Sequence, residues 1–319
     1  MLGARDPAAR FWPGQEFRYP VISRIWLEGD AVGKFSRTFS LMRASWEVLK
    51  QDKELLLFPA FAAVGSVLVL ASFAAPLLAL TDWQAASDSM AAGTAEALGS
   101  GESGVSGEQA VYTLGLFLFY CCNYFVMIFF NAGLVACAEI RMEGGDPTVG
   151  DGLRAAWSRL PAILGWAVVA ATVGLVLRMI EERSNIVGKI VAGLLGMAWS
   201  LTSFLVVPIL VVENEGPISA LKRSASMLKK TWGEQIIGNF SFGLIFMLVA
   251  LPGAFVVIAG VVAGSVTLIV LGVLAVILVA LAQSALQGIF QAALYLYMRD
   301  GVAPDGFDAG ELQAAVGRS

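Results

Sequence analysis

The segment "QDKELLLFPAF" (residues 51–61) places three consecutive charged residues, Asp52, Lys53 and Glu54, directly before an apolar run that begins at Leu55. Pro59 follows early in that run. A proline is tolerated in the first turn of a helix, where its missing N–H would have no partner in any case. The segment therefore predicts that an amphipathic helix ends here and that an apolar helix begins.

The composition extends this contrast to the whole chain. Of 319 residues, 57% are hydrophobic and 14% are charged, whereas about a quarter of the residues in soluble domains are charged. Residues 236–298 contain no Asp, Glu, Lys or Arg, while residues 1–54 contain nine Lys and Arg. This segregation predicts an integral membrane protein.

Six segments are long and apolar enough, or nearly so, to cross a hydrocarbon core, which takes roughly 20 residues. They are Leu55–Leu80, Val111–Ala138, Ala162–Leu177, Ile186–Val212, Ile236 to about Gly260, and about Val266 to Gly288. The predicted fold class is all-α: a polytopic transmembrane bundle of six helices with cytoplasmic amphipathic helices.

The basic residues predict the orientation of the bundle. With both termini in the cytoplasm, the cytoplasmic segments hold all the Lys and Arg residues except Arg178, Arg183 and Lys189. Cytoplasmic loops carry such an excess of basic residues. We therefore expect a multi-pass protein of the cytoplasmic (inner) membrane with both termini inside, whose first span serves as the insertion signal.

Helical spacing before the first span predicts an amphipathic helix at the membrane surface. Its apolar stripe is Phe35, Phe39, Met42, Trp46 and Leu49. Its charged stripe is Arg43, Glu47, Lys50 and Glu54. On this interpretation, Asp52, Lys53 and Glu54 form the solvated end of the helix.

A similar pattern recurs twice. "MRASWEVLK" (residues 42–50) aligns with "LRAAWSRLP" (residues 153–161), so that Arg154 matches Arg43 and Trp157 matches Trp46. A third copy, "LKRSASMLKKTWG" (residues 221–233), keeps Arg223 but lacks the tryptophan at that position. The copies indicate three units, each an amphipathic helix followed by a transmembrane hairpin. The alternative is that any helix beside a membrane collects Arg, Trp and Leu.

Helix starts fit the second and third units. Asp146 is predicted to cap a helix that begins at Pro147, and Pro217 is predicted to occupy the first position of another helix. Three domains result: residues 1–33, an irregular tail or a misassigned start with translation beginning at Val32; residues 34–298, the six-span membrane domain; and residues 299–319, a cytoplasmic C-terminal tail.

The side-chain chemistry argues against an enzyme. Histidine is absent, which excludes catalysis by Ser-His-Asp or Cys-His groups and ligation of zinc or haem by histidine. The spans hold no paired carboxylates for a proton relay, and no nucleotide fingerprint is present. Cys121, Cys122 and Cys137 lack metal-ligand spacing. We therefore expect no enzymatic activity, no cofactor, no bound metal and no nucleic-acid partner.

A polar stripe crosses the last span. Gln283, Gln287, Gln291 and Tyr295 follow one another at steps of four and share one face of a helix. Because unpartnered amides are costly in lipid, the stripe should face protein, water or headgroups, and its end should reach the cytoplasmic interface. Hydrogen bonding between helices and a polar cavity remain alternatives, and Asn123, Asn131 and Asn239 could join either arrangement.

Four pieces of the chain together resemble a family of uncharacterised prokaryotic six-span membrane proteins, a domain of unknown function. They are "SWEVLKQDKELLLFP", "GGDPTVGDGLRAAWSRL", "ENEGPISALKRSASMLKKTWGE" and "AALYLYMRDGVAPDGFDAGEL", between Lys34 and Leu312. "GPISALKRS" is also similar to the membrane domain that accompanies some glycerophosphodiester phosphodiesterases. The resemblance implies a helical membrane protein and carries no activity or site residues.

The expected function is to organise membrane lipids or an unidentified protein partner at the cytoplasmic membrane. The residues predicted to make these contacts are basic or tryptophan: Arg43, Trp46, Lys50, Arg154, Trp157, Arg223, Lys229, Lys230 and Trp232. The alternative is a carrier or channel for an uncharged or lipidic solute. Its predicted polar cavity is lined by Gln283, Gln287, Gln291, Asn123, Asn131 and Asn239.

Overall fold

The computed structural model describes residues 31–80, 107–183, 186–229 and 237–316. These ranges are mainly helical and contain no β-strand. The helices are, in chain order, α1 (Ala31–Gln51), α2 (Leu57–Leu80), α3 (Gly107–Met142), α4 (Val149–Ser158), α5 (Leu160–Arg183), α6 (Ile186–Thr202), α7 (Val206–Val212), α8 (Pro217–Lys229), α9 (Ile237–Val262), α10 (Val266–Asp300) and α11 (Ala309–Val316). A 3-10 helix, Lys53–Leu56, joins α1 to α2.

The predicted all-α fold with six spans is confirmed. In the described part of the chain, six segments are long and apolar enough to cross a membrane: Lys53–Ala75, Thr113–Met142, Leu160–Glu181, Gly188–Val212, Ile245–Val262 and Val266–Asp300. The third is longer than the sequence predicted. The fourth is not one helix, because α6 ends at Thr202 and α7 begins at Val206.

The element order follows the predicted three units. A shorter helix precedes each pair of spans: α1 before α2 and α3, α4 before α5 and the broken fourth span, and α8 before α9 and α10. As predicted, Pro217 opens α8. The helices that carry the repeated arginine motif therefore occupy equivalent places in the chain.

The core lies at one end of the bundle, which we call the packed end. The second span, α3, is central and contacts α2, α4, α5, α7 and α10. Its residues are buried from Ala132 to Ala138, and α10 is buried from Gly288 to Tyr297. The other halves of the spans expose large apolar side chains such as Leu68 and Leu278. A surface of that kind is suited to contact with hydrocarbon.

The C-terminal segment is part of the folded bundle. The segment that follows α10, predicted as a tail, folds back so that α11 contacts α1. Leu312 is fully buried and Phe307 is nearly so, so this segment belongs to the packed end as far as residue 316. Residues 1–30, most of the predicted irregular segment, lie outside the described residues.

Two glycines let α4 lie directly against α3. A Cβ atom added at Gly152 would meet the carbonyl oxygen of Gly133 at 2.7 Å and the Phe58 ring at 2.5 Å. Phe58, at the start of α2, is 1% exposed. Close backbone approach at small residues is a common way for membrane helices to pack. The contact brings α4 against the junction of the first and second spans.

Gly152→Ala should destabilise the packed end, because its methyl group would collide with backbone atoms that cannot rotate away. We expect a loss of about 1–3 kcal/mol in the free energy of unfolding, measured by denaturation of the purified protein. Gly150→Ala in the same helix is the control, because its added Cβ would meet only the Thr148 hydroxyl at 3.6 Å. Equal stability of the two variants would contradict this packing.

Candidate functional site

Arg141, at the end of α3, links two other segments at the packed end. Its guanidinium donates to Asp52 from both Nε and one terminal nitrogen, the latter at 2.6 Å. The same nitrogen donates to Asp146, before α4. The Asp52 side chain is 10% exposed and that of Asp146 is 93% exposed. One arginine thus joins the junction of α1 and α2 to the segment that leads into α4.

The placement of Asp52 corrects the prediction that it forms a solvated helix end. The buried face of α1 includes Leu41, Ser45 and Val48, and Asp52 continues that face at a step of four. Its carboxylate is buried because Arg141 compensates its charge. Lys53 and Glu54, in the 3-10 helix, are exposed as predicted.

The start of α4 also differs from the prediction. Thr148, not Asp146, is the N-cap, and it forms a capping box with Asp151. Hydrogen bonds from the Thr148 hydroxyl and backbone N–H lower the pKa of the Asp151 carboxyl below its ordinary value. The box therefore contributes its stability above the ordinary pKa and loses it as the pH falls through the lowered pKa. Asp146 is free to bind Arg141 instead.

The outer face of α1 alternates aromatic and basic residues. Phe39, Arg43, Trp46 and Lys50 follow one another at steps of four, three and four, and all are exposed. Phe39 is 59% exposed and Trp46 is 42% exposed. The predicted apolar stripe is therefore divided: Leu49 is buried against the core, whereas Phe39 and Trp46 join the basic residues outside.

The short helix α4 presents the same pair. Arg154 and Trp157 are three residues apart, like Arg43 and Trp46, and Trp157 is 68% exposed. The Trp157 ring also meets Phe129 of α3 edge to face, with centroids 6.4 Å apart. We call Arg43 with Trp46, and Arg154 with Trp157, the Arg-Trp pairs.

The third copy does not form such a pair. Arg223, in α8, forms an ion pair with Glu213, which also accepts a hydrogen bond of 2.9 Å from the Tyr295 hydroxyl. The hydrogen bond that Arg223 donates to the Glu213 carboxylate raises the pKa of Arg223. The Arg223 side chain is 46% exposed, but its guanidinium is paired with a carboxylate of the same chain. Lys230 and Trp232 lie outside the described residues, as does the side chain of Lys229.

Side chains from two other elements form hydrogen bonds with the backbone at the break in the fourth span. Gln291 Nε2 donates to the carbonyl oxygen of Phe204, and the N–H of Leu205 donates to the Ser224 hydroxyl at 3.2 Å. Gln291 also accepts a hydrogen bond of 3.5 Å from Asn131. These bonds satisfy backbone groups that a continuous helix would have paired internally. Gln291 therefore serves packing between helices.

A half-open pocket of about 300 Å³ lies between α2, α3 and α10. Its polar lining includes Asn131, Ser284, Gln287 and Gln291. Three residues of the predicted polar cavity are thus brought together, namely Asn131, Gln287 and Gln291. Its apolar lining residues are Phe58, Pro59, Ala62, Met127, Ile128, Phe130 and Leu134.

The other residues predicted for a polar cavity lie elsewhere. Gln283 and Asn123 do not line the pocket, and the Asn123 amide instead points to the sulfur of Met127 at 3.7 Å. Asn239 belongs to α9, but its side chain is outside the described part. Among the described residues, no group of three or more His, Cys, Asp and Glu side chains is placed to hold a metal ion.

The sequence did not predict the charge pairs that join distant segments at the packed end. Besides the Arg141 pairs, Arg299 of α10 forms an ion pair with Glu139 of α3 at 3.3 Å and its guanidinium carbon lies 5.7 Å from the centre of the Tyr295 ring. Glu139 and Arg141 are two residues apart at the end of α3, yet each pairs with a different segment. The sequence shows charged residues at the same end of each span, but it does not indicate which of these residues pair with each other.

In the part of the chain that the structure describes, these features define an all-helical protein with six candidate membrane spans and a densely packed end that holds most of the charged residues. The chain belongs to DUF6159, a family of unknown function, whose model matches residues 110–306. The predicted resemblance to an uncharacterised family is confirmed for that range, which begins in α3. The resemblance to the membrane domain of glycerophosphodiester phosphodiesterases stays a prediction. No curated protein matches the chain.

The two acids on Arg141 should contribute unequally to stability. Asp52→Asn removes the buried partner, and we expect the free energy of unfolding to fall by about 3 kcal/mol. Asp146→Asn removes the exposed partner of the same guanidinium and should cost less than about 1 kcal/mol. Chemical denaturation of both variants in the same detergent measures the difference, and similar losses would show that Asp52 is not the main anchor.

Proposed function

We propose that the protein is a non-enzymatic membrane protein that organises anionic lipids at the cytoplasmic face of the cell membrane. The observation that carries the proposal is the repeated Arg-Trp pair. Two helices at equivalent places in the chain each expose an arginine and a tryptophan three residues apart. Because exposing a large apolar ring to water is unfavourable, two exposed tryptophans at the end of a membrane bundle support contact with a lipid interface.

The chemistry of the two side chains fits the depth of lipid headgroups. Tryptophan is enriched where hydrocarbon meets water, and each basic residue near an anionic surface contributes about 1 kcal/mol before salt screening. Nearby acids offset part of this attraction, because Lys50 pairs with Glu47 at 3.1 Å and Arg154 pairs with Asp151 at 3.3 Å. Arg43 has no such partner among the described residues, so we expect it to contribute most.

The packed end supports this role because it holds the two helices in place. Arg141 fixes the end of α1, and the contact of Gly133 with Gly152 fixes α4 against α3. A rigid support lowers the entropy that each side chain loses when it binds a headgroup. The Arg-Trp pairs would therefore bind lipid from a prearranged position.

The predicted carrier or channel has less support. Asn131 and Gln291, two members of the predicted cavity, bind each other, and the residues of α10 beyond Gln291 are buried as far as Tyr297. In the described part of the chain, the pocket is thus bounded toward the packed end. The same exposed charges could attract an acidic protein partner, which the experiment below distinguishes from lipid.

The proposal places the packed end in the cytoplasm, as the basic-residue bias favours. In a variant without the three native cysteines, a new cysteine at Ser158 or Lys222 should resist a membrane-impermeant maleimide in intact cells and react after the membrane is opened. A cysteine at Lys189, near the other end of the fourth span, is the control and should react in intact cells. Labelling of Lys222→Cys from outside would contradict this orientation.

Removing the exposed charges should weaken lipid binding without unfolding the protein. Native mass spectrometry of Arg43→Gln, Arg154→Gln and the double variant should show a stepwise loss of bound phosphatidylglycerol relative to phosphatidylcholine, up to about tenfold for the double variant. Lys189→Gln is the control for loss of one positive charge elsewhere, and added salt should reduce the binding of the wild type.

Two results would overturn the lipid proposal. One is unchanged phosphatidylglycerol binding by a double variant that unfolds at the wild-type temperature. The other is copurification of a stoichiometric protein that the double variant loses while it keeps its lipid, which would assign the Arg-Trp pairs to a protein partner.

A further inference from the structure

The pocket between α2, α3 and α10 contains polar groups that the protein itself leaves without partners. Neither the amide of Gln287 nor the hydroxyl of Ser284 makes a hydrogen bond to any part of the chain that the structure describes. Asn131 donates through its nitrogen to Gln291, whereas its carbonyl oxygen accepts no bond from a described residue. No buried side-chain polar atom of the described residues lacks a partner. The unpartnered atoms of Gln287, Ser284 and Asn131 are therefore not buried, and a ligand can reach them.

These partnerless groups lie inside a membrane span, where water is scarce. An amide without a hydrogen bond is costly in hydrocarbon, and Gln287 belongs to the sixth span, with no charged residue within ten positions on either side. The neighbouring glutamine on the same face, Gln291, does find protein partners. The contrast indicates that Gln287 serves a ligand rather than the packing of helices.

The lining selects an uncharged ligand. None of the residues that line the pocket is acidic or basic, so a phosphate or ammonium group would enter without a counter-charge, which is unfavourable away from water. The Asn131 oxygen needs a hydrogen-bond donor, and Gln287 offers both a donor and an acceptor. A hydroxyl group meets both requirements, because it donates one hydrogen bond and accepts others.

The depth and the mouth of the pocket favour a lipid over a soluble molecule. Phe58 and Pro59 line it, and they stand only a few residues after the exposed Lys53 and Glu54 at the start of the first span. The pocket therefore lies about one helical turn below the charged boundary, near the depth of lipid ester groups. Met127 lines it while 48% exposed, so that one side meets the apolar outer surface of the bundle.

We propose that this pocket binds one molecule of an uncharged lipid with a free hydroxyl, of which diacylglycerol is the simplest membrane example. The hydroxyl donates to the Asn131 oxygen and bonds with the Gln287 amide, while Ser284 meets an ester oxygen. The acyl chains leave past Met127 and Phe130 into the surrounding lipid. This site is separate from the Arg-Trp pairs and does not depend on the orientation of the protein.

The test uses the purified full chain in detergent and native mass spectrometry. The probe is 1,2-dioleoylglycerol, and its matched control is the same lipid with the hydroxyl acetylated. Gln287→Leu removes the amide with little change in volume. Gln283→Leu makes the same change one turn earlier on the same face, outside the pocket. Each variant is compared with the wild type at equal thermal stability.

The wild type and Gln283→Leu should bind dioleoylglycerol equally. Gln287→Leu, and the acetylated lipid on the wild type, should each bind roughly three- to tenfold more weakly, as expected for a lost hydrogen bond. Four results would overturn the proposal: no retention of dioleoylglycerol by the wild type, equal binding by Gln287→Leu, equal binding of the acetylated lipid, or displacement by an equal amount of phosphatidylglycerol. The acetylated-lipid comparison needs no variant, so it holds even if Gln287→Leu folds poorly.

Discussion

The buried pair between Arg141 and Asp52 is the interaction on which the packed end depends. Arg141 ends the second span, Asp52 ends the buried face of α1, and Asp146, the second acid on the same guanidinium, precedes α4. A carboxylate that is 10% exposed has lost most of its hydration, which only a close positive charge offsets. One arginine thus fixes the positions of two amphipathic helices relative to the central span. The positions of the exposed side chains on both helices follow from this.

A second constraint comes from the broken fourth span. Between α6 and α7, backbone groups leave the regular helical pattern within an apolar segment, where unsatisfied groups are costly. Gln291 from the last span and Ser224 from α8 complete them. The third unit is thereby tied to the second one, through polar bonds rather than through apolar surface alone. This explains why the polar stripe of α10 ends in buried residues instead of continuing to the interface.

The architecture followed from the sequence because its signals are local. Span length, charge at the span ends and the positions of Pro59 and Pro217 are each decided within a few residues, and the six spans and the order of the units were predicted from them. The pairing of charges is a property of distant segments. Asp52 looked solvated because its sequence neighbours Lys53 and Glu54 are charged, whereas its burial depends on Arg141, 89 positions away.

For the candidate site as well, the sequence predicted local features and missed those that depend on distant segments. Helical spacing correctly grouped Arg43 with Lys50 and predicted that Gln287 and Gln291 share a face. It could not tell which glutamine would meet a protein partner, because that depends on where the fourth span breaks. It also assigned Phe39, Trp46 and Leu49 to one apolar face at the membrane surface, although the spacing of apolar residues alone does not show which of them pack against the core.

The divergence of the third unit shows how a repeated motif can serve two purposes. Arg43 and Arg154 point outward beside tryptophans, while the equivalent Arg223 binds Glu213, which also holds Tyr295 of α10. Without a tryptophan at position 226, an outward arginine there would lack an interfacial anchor beside it. Arg223, whose side chain is 46% exposed, instead compensates a carboxylate that is 17% exposed. The repeat therefore places an arginine in the helix before each hairpin. In the first two units a tryptophan stands three residues later, and in the third unit the arginine pairs with Glu213.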